Sequence, residues 1–561
     1  MKATVIGLSD TWLDDDVHHY EINISGCSLE CKDRKREGGG ICTYVRNDLV
    51  FNRRTGLVYR IKKSTFRFVR KLPYVRTKIK EEMAKTYNEL ENTFHSATKG
   101  QSFVQKLPDK GLNEVDVLKE LQKYKSLGEI FEGMMDVDWK KGACSGTVYS
   151  GEDDLSNLMA KVYGEFAWTN PLHADVFPDI RKMEAEVVRM TCHMFNGGPN
   201  SCGTMTSGGT ESIMLACKAY RDMAMERGIN FPEIIVPVTA HAAFDKAADC
   251  FRMAIKHIAI DPVTRKVNIK AMRHAITRNT CMLVGSAPQF PHGVVDHIQE
   301  IGKLGIRYNI PVHVDSCLGG FLVPFMKKAG FDVEPFDFTV PGVTSISADT
   351  HKYGFAPKGS SVILYSDKKY RKYQYFVQPD WPGGIYASPT FAGSRAGAII
   401  AACWATMMYM GEEGYVEATR KIVKTIRYIE QELRKMPDIF VYGKAEVSVV
   451  GIGSKKFNIY RLSDALSAKG WNLNPLQFPS SIHLCVTLVH TKEGVADRFI
   501  TDIRDCVTEI MKDQSAECKG QGAMYGMAQS IPDRSLVSEI AGSFFDAYYN
   551  TAEKEVVNGV L

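Results

Sequence analysis

From about residue 141 the chain repeats one pattern: a short continuous apolar run, then a stretch of helical periodicity or a loop, then another apolar run. The runs are "EIIVPV" (233–238), "CMLVGSA" (281–287), "IPVHVD" (310–315), "VTSISA" (343–348) and "SVILY" (361–365). Strands buried on both faces read this way, and their alternation with helices predicts a mostly parallel sheet covered on both sides. After about residue 395 the pattern changes to a long helix, the strand-like "EVSVVGIGS", a helix, "SIHLCVTLVH" and a terminal helix from about 494. The expected fold class is therefore α/β: a large domain over 141–395, a smaller C-terminal α+β domain over 396–545, and a tail over 546–561.

The preceding residues have a different character. Residues 81–140 read as amphipathic helices, with Leu118, Leu121 and Tyr124 on one face. Residues 59–80, "YRIKKSTFRFVRKLPYVRTKIK", carry nine Lys or Arg and no acid, interleaved with Phe66, Phe68, Val69, Leu72 and Tyr74. Such a stretch is either a solvated face or a contact for an anionic membrane surface. Residues 59–140 are taken as one segment, and residues 1–58, with the acidic triplet Asp14–Asp16 and the basic "KDRKREGGG", as an atypical one.

Composition narrows the function classes. With 44% apolar and 24% charged residues, the chain of 561 residues is an ordinary globular sequence too long for a single core. A net charge of +5 over that length implies no nucleic-acid partner. The 14 cysteines follow no repeated spacing and lie mostly in apolar segments, as Cys192, Cys217, Cys281, Cys403 and Cys485 do, which favours reduced thiols. Cys27, Cys31 and Cys42 fit no zinc spacing and lack a fourth ligand, so no metal is expected. The first residues do not read as a signal peptide, and no run reaches the roughly 18 to 20 apolar residues that cross a bilayer. Ala396–Met410 is expected to be a core helix.

The candidate chemistry falls at strand ends, where open parallel sheets bind ligands. "TSGGTES" sets Ser207, Gly208, Gly209 and Thr210 before a helical run, where amide N–H groups and the helix dipole can hold an anion or simply cap the helix. Asp315 ends a predicted buried strand, and Gly319 and Gly320 after it allow close approach to a ligand. The turn "SADTHKYGFAPKGSS" (347–361) places His351 and Lys352 after a third strand. Desolvation there lowers a lysine pKa and favours a nucleophilic amine.

An anion cradle, a carboxylate and an amine at neighbouring strand ends are the three contacts that pyridoxal 5'-phosphate requires: for its phosphate, its ring nitrogen and its aldehyde. His241 in "TAHAAFDKAA" could stack on the ring face.

The motifs "SADTHKYGFAPKGSS", "GGIYASPTFAGSR", "CSGTVYSGEDDL", "FAWTNPLHADVFP", "TSGGTES" and "PQFPHGVVD" resemble the sphingosine-1-phosphate lyase family, part of the fold-type I, group II decarboxylase-like enzymes, from about residue 59 to the C-terminus. The resemblance implies a PLP-dependent transferase-like fold. It also implies that Lys352 carries the cofactor as a Schiff base, that Asp315 holds the ring nitrogen, and that His241 stacks. Ser207, Gly208, Gly209, Thr210 and His351 would bind the phosphate, joined by Ser388 from the partner subunit of a homodimer with shared active sites. Tyr149, Asn170, His173, Lys358 and Tyr386 match the substrate-pocket motifs, with Tyr386, Lys358 and Tyr149 as candidates for proton transfer. The implied reaction splits the C2–C3 bond of a phosphorylated long-chain base into a long-chain aldehyde and phosphoethanolamine; the alternative with the same cofactor is an amino-acid decarboxylase.

By resemblance the catalytic part faces the cytosol on the endoplasmic reticulum membrane, although the transmembrane helix expected before the basic stretch is replaced by residues 1–58. Those residues resemble pieces of retrotransposon endonucleases, in which the acid at Asp10 would help to hold a metal, and they read as a fused fragment or a gene-model artefact. A metal nuclease is the reading of a different class, and some fifty residues are too few for its core.

Overall fold

The apolar runs are strands of a seven-stranded sheet: β1 (Cys202–Thr206), β2 (Glu233–Pro237), β3 (Ala254–Ile258), β4 (Thr280–Ser286), β5 (Val312–Asp315), β6 (Val343–Ala348) and β7 (Ser361–Tyr365). Their spatial order is β1-β7-β6-β5-β4-β2-β3. β7 runs antiparallel to both of its neighbours, and the other pairs are parallel. This computed structural model describes residues 7–11, 27–32, 40–46, 72–96, 103–127, 138–518 and 534–551.

Alternation along each strand divides the core into two layers. Ile234, Val236, Met282, Val284, Ile363 and Tyr365 pack on one face, beneath the helices Gly209–Glu226 and Ala243–Cys250. Ile235, Leu283, Val312, Val314, Ile346, Val362 and Leu364 pack on the other. Two strands escape the apolar-run pattern for physical reasons. The edge strand β3 has partly solvated Lys256 and His257. β1 contains Gly203, where a Cβ would lie 2.2 Å from the Ile363 carbonyl oxygen, so close pairing with β7 excludes a side chain.

After the sheet the chain enters the helix Gly397–Leu433, whose first turns bury Ala398, Ile400, Ala401, Ala402 and Cys403. A kink at Gly411, with φ of 55°, lets it change direction. A four-stranded antiparallel sheet follows, in the order 440–441, 449–453, 481–485, 474–476, with the helices Tyr460–Ser467 and Val495–Met511.

The chain forms two compact units, one over 131–526 and one from 1–130 with 527–561. In the second unit the helices Pro73–Ser96 and Arg534–Tyr548 pack on each other. The helix Glu114–Leu127 leaves the face of Leu118, Leu121 and Tyr124 exposed. The backbone strands Gly7–Thr11, Gly40–Arg46 and Cys27–Lys32 form an antiparallel sheet in that order. Asp10 lies in the first; its side chain, and most of the basic stretch 59–80, are outside the described residues. Among the described residues no helix is long and apolar enough to cross a membrane. The cysteines from Cys144 to Cys518 are free thiols, most of them buried.

Four histidines, His292, His313, His483 and His490, lie inside the first unit. Burial holds their rings to about 3 for His292 and about 4 for the other three, against an ordinary 6.5. Each ring is neutral in the fold and takes a proton once unfolded. The unfolded chain therefore binds more protons between pH 6.5 and about 4, and stability falls as pH drops through that window. Thermal melting at about pH 5 should occur well below melting at neutral pH, and a pH-independent melting temperature would contradict this account.

Candidate active site

The register of β7 brings the chemical groups to one edge. Ser361 pairs with Thr206 and Val362 with Ala348, while Asp315 pairs with Ser347 on one side and Ser286 on the other. The carboxyl ends of β1, β6 and β5 therefore lie side by side around the start of β7. Buried hydroxyls fasten them: Thr206 Oγ1 lies 2.7 Å from Ser212 Oγ, which lies 2.9 Å from Ser361 Oγ, which donates to the Ala348 carbonyl at 3.1 Å.

The anion cradle opens the helix Gly209–Glu226. Its N-cap, Gly208, supplies no side-chain cap, so the first amide N–H groups keep their donors. A Cβ built on Gly208 would meet only His351 Cε1, at 3.8 Å, which marks open space bounded by that imidazole. Ser207 differs from expectation. Its N–H and Oγ–H both donate to Glu211 Oε2, at 2.6 and 2.7 Å, and the carboxylate therefore occupies the donors assigned to a phosphate. Glu211 Oε1 also accepts the Phe391 N–H at 3.2 Å, tying the cradle to a segment 180 residues away.

Asp315 is buried, and the one hydrogen bond to its carboxylate among the described residues is from the Cys317 N–H to Oδ1 at 3.1 Å. Gly319 and Gly320 serve packing rather than a ligand: added Cβ atoms would lie 2.3 Å from the Ala287 oxygen and 2.6 Å from Ala348 Cβ. His241 follows β2 with its ring exposed, and Nδ1 accepts the Ala243 N–H at 3.1 Å. An open cradle, a buried carboxylate with spare acceptor capacity and an amine at adjoining strand ends fit pyridoxal 5'-phosphate.

Lys352 corrects the sequence expectation of a lowered pKa. Its Nζ lies 2.9 Å from Asp349 Oδ2, a carboxylate only 2% exposed. Burial, the largest single influence, disfavours the charged amine, but Asp349, Cys317 and Tyr149 together outweigh it, and the amine binds its proton more tightly than an ordinary lysine. Cys317 and Tyr149 add to this only when ionised, and burial pushes both ionisations upward. The carboxylate in ion-pair contact with Lys352 is Asp349. His351, 3.7 Å from the same carboxylate, is drawn below the usual histidine value, chiefly by burial.

Tyr149 and Lys358 join this cluster. Lys358 Nζ sits 4.9 Å from the Tyr149 ring centre and donates to the His351 carbonyl at 3.4 Å. Burial and the neighbouring Lys352 lower the Lys358 pKa. Tyr353, which sequence reasoning missed, meets Tyr149 edge-on at 4.9 Å and donates to the Val486 carbonyl at 2.6 Å.

The remaining candidates form a second cluster. Asn170 donates to Ser394 Oγ at 3.0 Å and accepts the Arg395 N–H at 3.2 Å, and the His173 N–H bonds the Asn170 carbonyl. Tyr386 and Ser388 lie on the hairpin strand Tyr386–Ser388, with Ser388 Oγ against the carbonyls of Thr390 and Ala392. Among the described residues no hydrogen bond or ion pair joins Asn170, His173, Tyr386 or Ser388 to Lys352 within the chain.

Residues 137–453 match the family model described as the pyridoxal-dependent decarboxylase conserved domain. The chain is 56% identical over 493 residues to sphingosine-1-phosphate lyase 1 of Rattus norvegicus, covering 88% of this chain and 85% of the relative. It is 45% identical over 500 residues to sphingosine-1-phosphate lyase of Saccharomyces cerevisiae, covering 87% and 83%. Among solved structures, a sphingosine-1-phosphate lyase of Burkholderia pseudomallei superposes with a TM-score of 0.73 at 36% identity, over 81% of this chain and 99% of that one. Glutamate decarboxylase of Lactobacillus brevis shares the fold, with a TM-score of 0.63 at 20% identity over 76% and 98%.

Gly209 tests the cradle. A methyl there would lie 2.7 and 2.8 Å from the Asp349 oxygens and 2.8 Å from Cys317 Sγ. Overpacking of this kind costs about 1–3 kcal/mol. Gly209→Ala should lower the melting temperature and release the cofactor on gel filtration, whereas Gly208→Ala, with its nearest neighbour at 3.8 Å, should melt with the wild type.

Proposed function

The chain belongs to the sphingosine-1-phosphate lyases within the pyridoxal-dependent decarboxylase family, and from that premise we propose that it cleaves the C2–C3 bond of sphingosine 1-phosphate or dihydrosphingosine 1-phosphate. The products are a long-chain aldehyde and phosphoethanolamine. The observation that carries this reading is the meeting of Lys352, Asp315 and the Gly208–Thr210 cradle at one sheet edge, in a chain more than half identical to a lyase of that name.

Pyridoxal 5'-phosphate, when bound, supplies an electron sink for the pair released as C2–C3 breaks. Lys352 is the attachment point, and its nitrogen gives way to the amine of the substrate. Asp315 would hold the ring nitrogen protonated, His241 would cover the ring face, and Gly208, Gly209, Thr210 and His351 would take the phosphate. A base must then remove the proton of the C3 hydroxyl. Lys358 suits this task better than Tyr149, because its amine releases a proton more easily than an ordinary lysine while the buried phenol holds its own. Tyr149 is then placed to return a proton. Asn170, His173 and Tyr386 line the route of the substrate.

We further propose a homodimer in which the second cluster, with Ser388, completes the site of the partner. The hairpin bearing Ser388 supports this, since it exposes Val377, Trp381 and Ile385. The catalytic unit is placed at the cytosolic face of the endoplasmic reticulum, with 59–80 as a membrane-surface contact.

Incubation of the full chain with dihydrosphingosine 1-phosphate should release a long-chain aldehyde. Borohydride should fix the cofactor to the peptide containing Lys352, and Lys352→Ala should cut turnover by about a thousandfold or more. Carbon dioxide released from an amino acid, with no aldehyde from the long-chain base, would establish the decarboxylase instead. Sedimentation should give twice the 62.7 kDa chain mass, and a monomer with full activity would exclude shared sites.

A further inference from the structure

Asp349 has no part in the reaction described above, yet it is the residue that Lys352 touches. Its carboxylate is 2% exposed and lies 2.9 Å from Lys352 Nζ through Oδ2, while the buried Oδ1 has no hydrogen-bond partner among the described residues. It also lies against the first turn of the cradle, where a Cβ on Gly209 would sit 2.7 and 2.8 Å from its two oxygens. A carboxylate so enclosed is costly without a cation. Lys352 is the cation in ion-pair contact with it, His351 being farther off at 3.7 Å.

We propose that Asp349 is a positioning residue that holds displaced Lys352 as an ammonium beside the phosphate cradle, so that the freed lysine does not re-attack until the C2–C3 bond has broken, after which its return releases the amine product. This rests on the cofactor reading given above and deepens it. The exchange balances without any further reagent. With the cofactor bound, the substrate's amine would replace Lys352, and the three hydrogens of the incoming ammonium would all end on the Lys352 nitrogen, which leaves as an ammonium, so atoms and charge balance. An ammonium has no lone pair with which to reverse the exchange. The groups facing the amine are Asp349 and His351 on its own turn, Cys317 after β5, Tyr149 before the helix Asp153–Phe166, Lys358 before β7, and Cys485 in the strand 481–485. Of these, Asp349 is the carboxylate in ion-pair contact with it.

The same holding force must slow the first capture of cofactor, which needs a neutral amine. The full chain, stripped of cofactor, is mixed with pyridoxal 5'-phosphate, and uptake is followed by visible absorbance across pH. In the wild type the uptake rate should climb only in the alkaline range. In Asp349→Asn the climb should begin at least about one pH unit lower, making uptake about tenfold faster near neutrality. A second measurement separates holding from bracing. In the stripped chain Lys352→Met strands the carboxylate and should lower the melting temperature, and Lys352→Met with Asp349→Asn should recover most of that loss. Unchanged pH dependence in Asp349→Asn, or melting losses that simply add in the double variant, would overturn the proposal. Failure of the wild-type chain to take up cofactor would instead overturn the functional reading.

Discussion

The insertion of one antiparallel strand, β7, between β1 and β6 is the constraint on which the site depends. Its register sets Ser361 beside Thr206 and Val362 beside Ala348, so the cradle after β1 and the lysine turn after β6 share one edge although about 140 residues separate them. Neither neighbour could be replaced by a bulkier strand. Gly203 already gives up its side chain to the Ile363 carbonyl, and the Thr206–Ser212–Ser361 hydroxyl chain is buried throughout. A slip of one residue in β7 would turn Val362 and Leu364 from one core layer to the other and break that chain.

Once the strand ends are adjacent, burial sharpens the electrostatics. The same low-polarity setting lowers the proton affinity of Lys358 and the buried histidines, and suppresses the ionisation of Tyr149 and Cys317. Lys352 moves the opposite way because Asp349 stands against it. Two lysines six residues apart in the chain are thereby given different jobs: one is held charged, the other is readied to release a proton. The difference is that Lys352 touches the Asp349 carboxylate at 2.9 Å, whereas Lys358 donates to the His351 carbonyl.

The glycines illustrate how sequence signs can mislead about purpose. Gly319 and Gly320 after Asp315 look like room for a ligand, but their missing side chains let the backbone pack on Ala287 and Ala348. Ser207 looks like a phosphate ligand, and Glu211 claims its donors. Glu211 stands four residues from Ser207 on the first helical turn, so its bond to Ser207 could have been suspected from spacing. Its bond to Phe391 could not.

Much of this protein was legible in the chain because the signals are local. Continuous apolar runs mark β2, β4, β5, β6 and β7, and the acid, amine and glycine-rich turn at their ends are read within a few residues of each strand. β1 and β3 were hidden, one by a glycine required for close pairing and the other by an edge face shared with water. Tertiary structure alone decided the pairing of Lys352 with Asp349, the pairing of Ser207 with Glu211 and the bond that ties Asn170 to Ser394. Periodicity records which face of an element is buried, whereas proton affinity and hydrogen bonding depend on distances of a few ångströms between side chains, and those are set only when the whole sheet has closed.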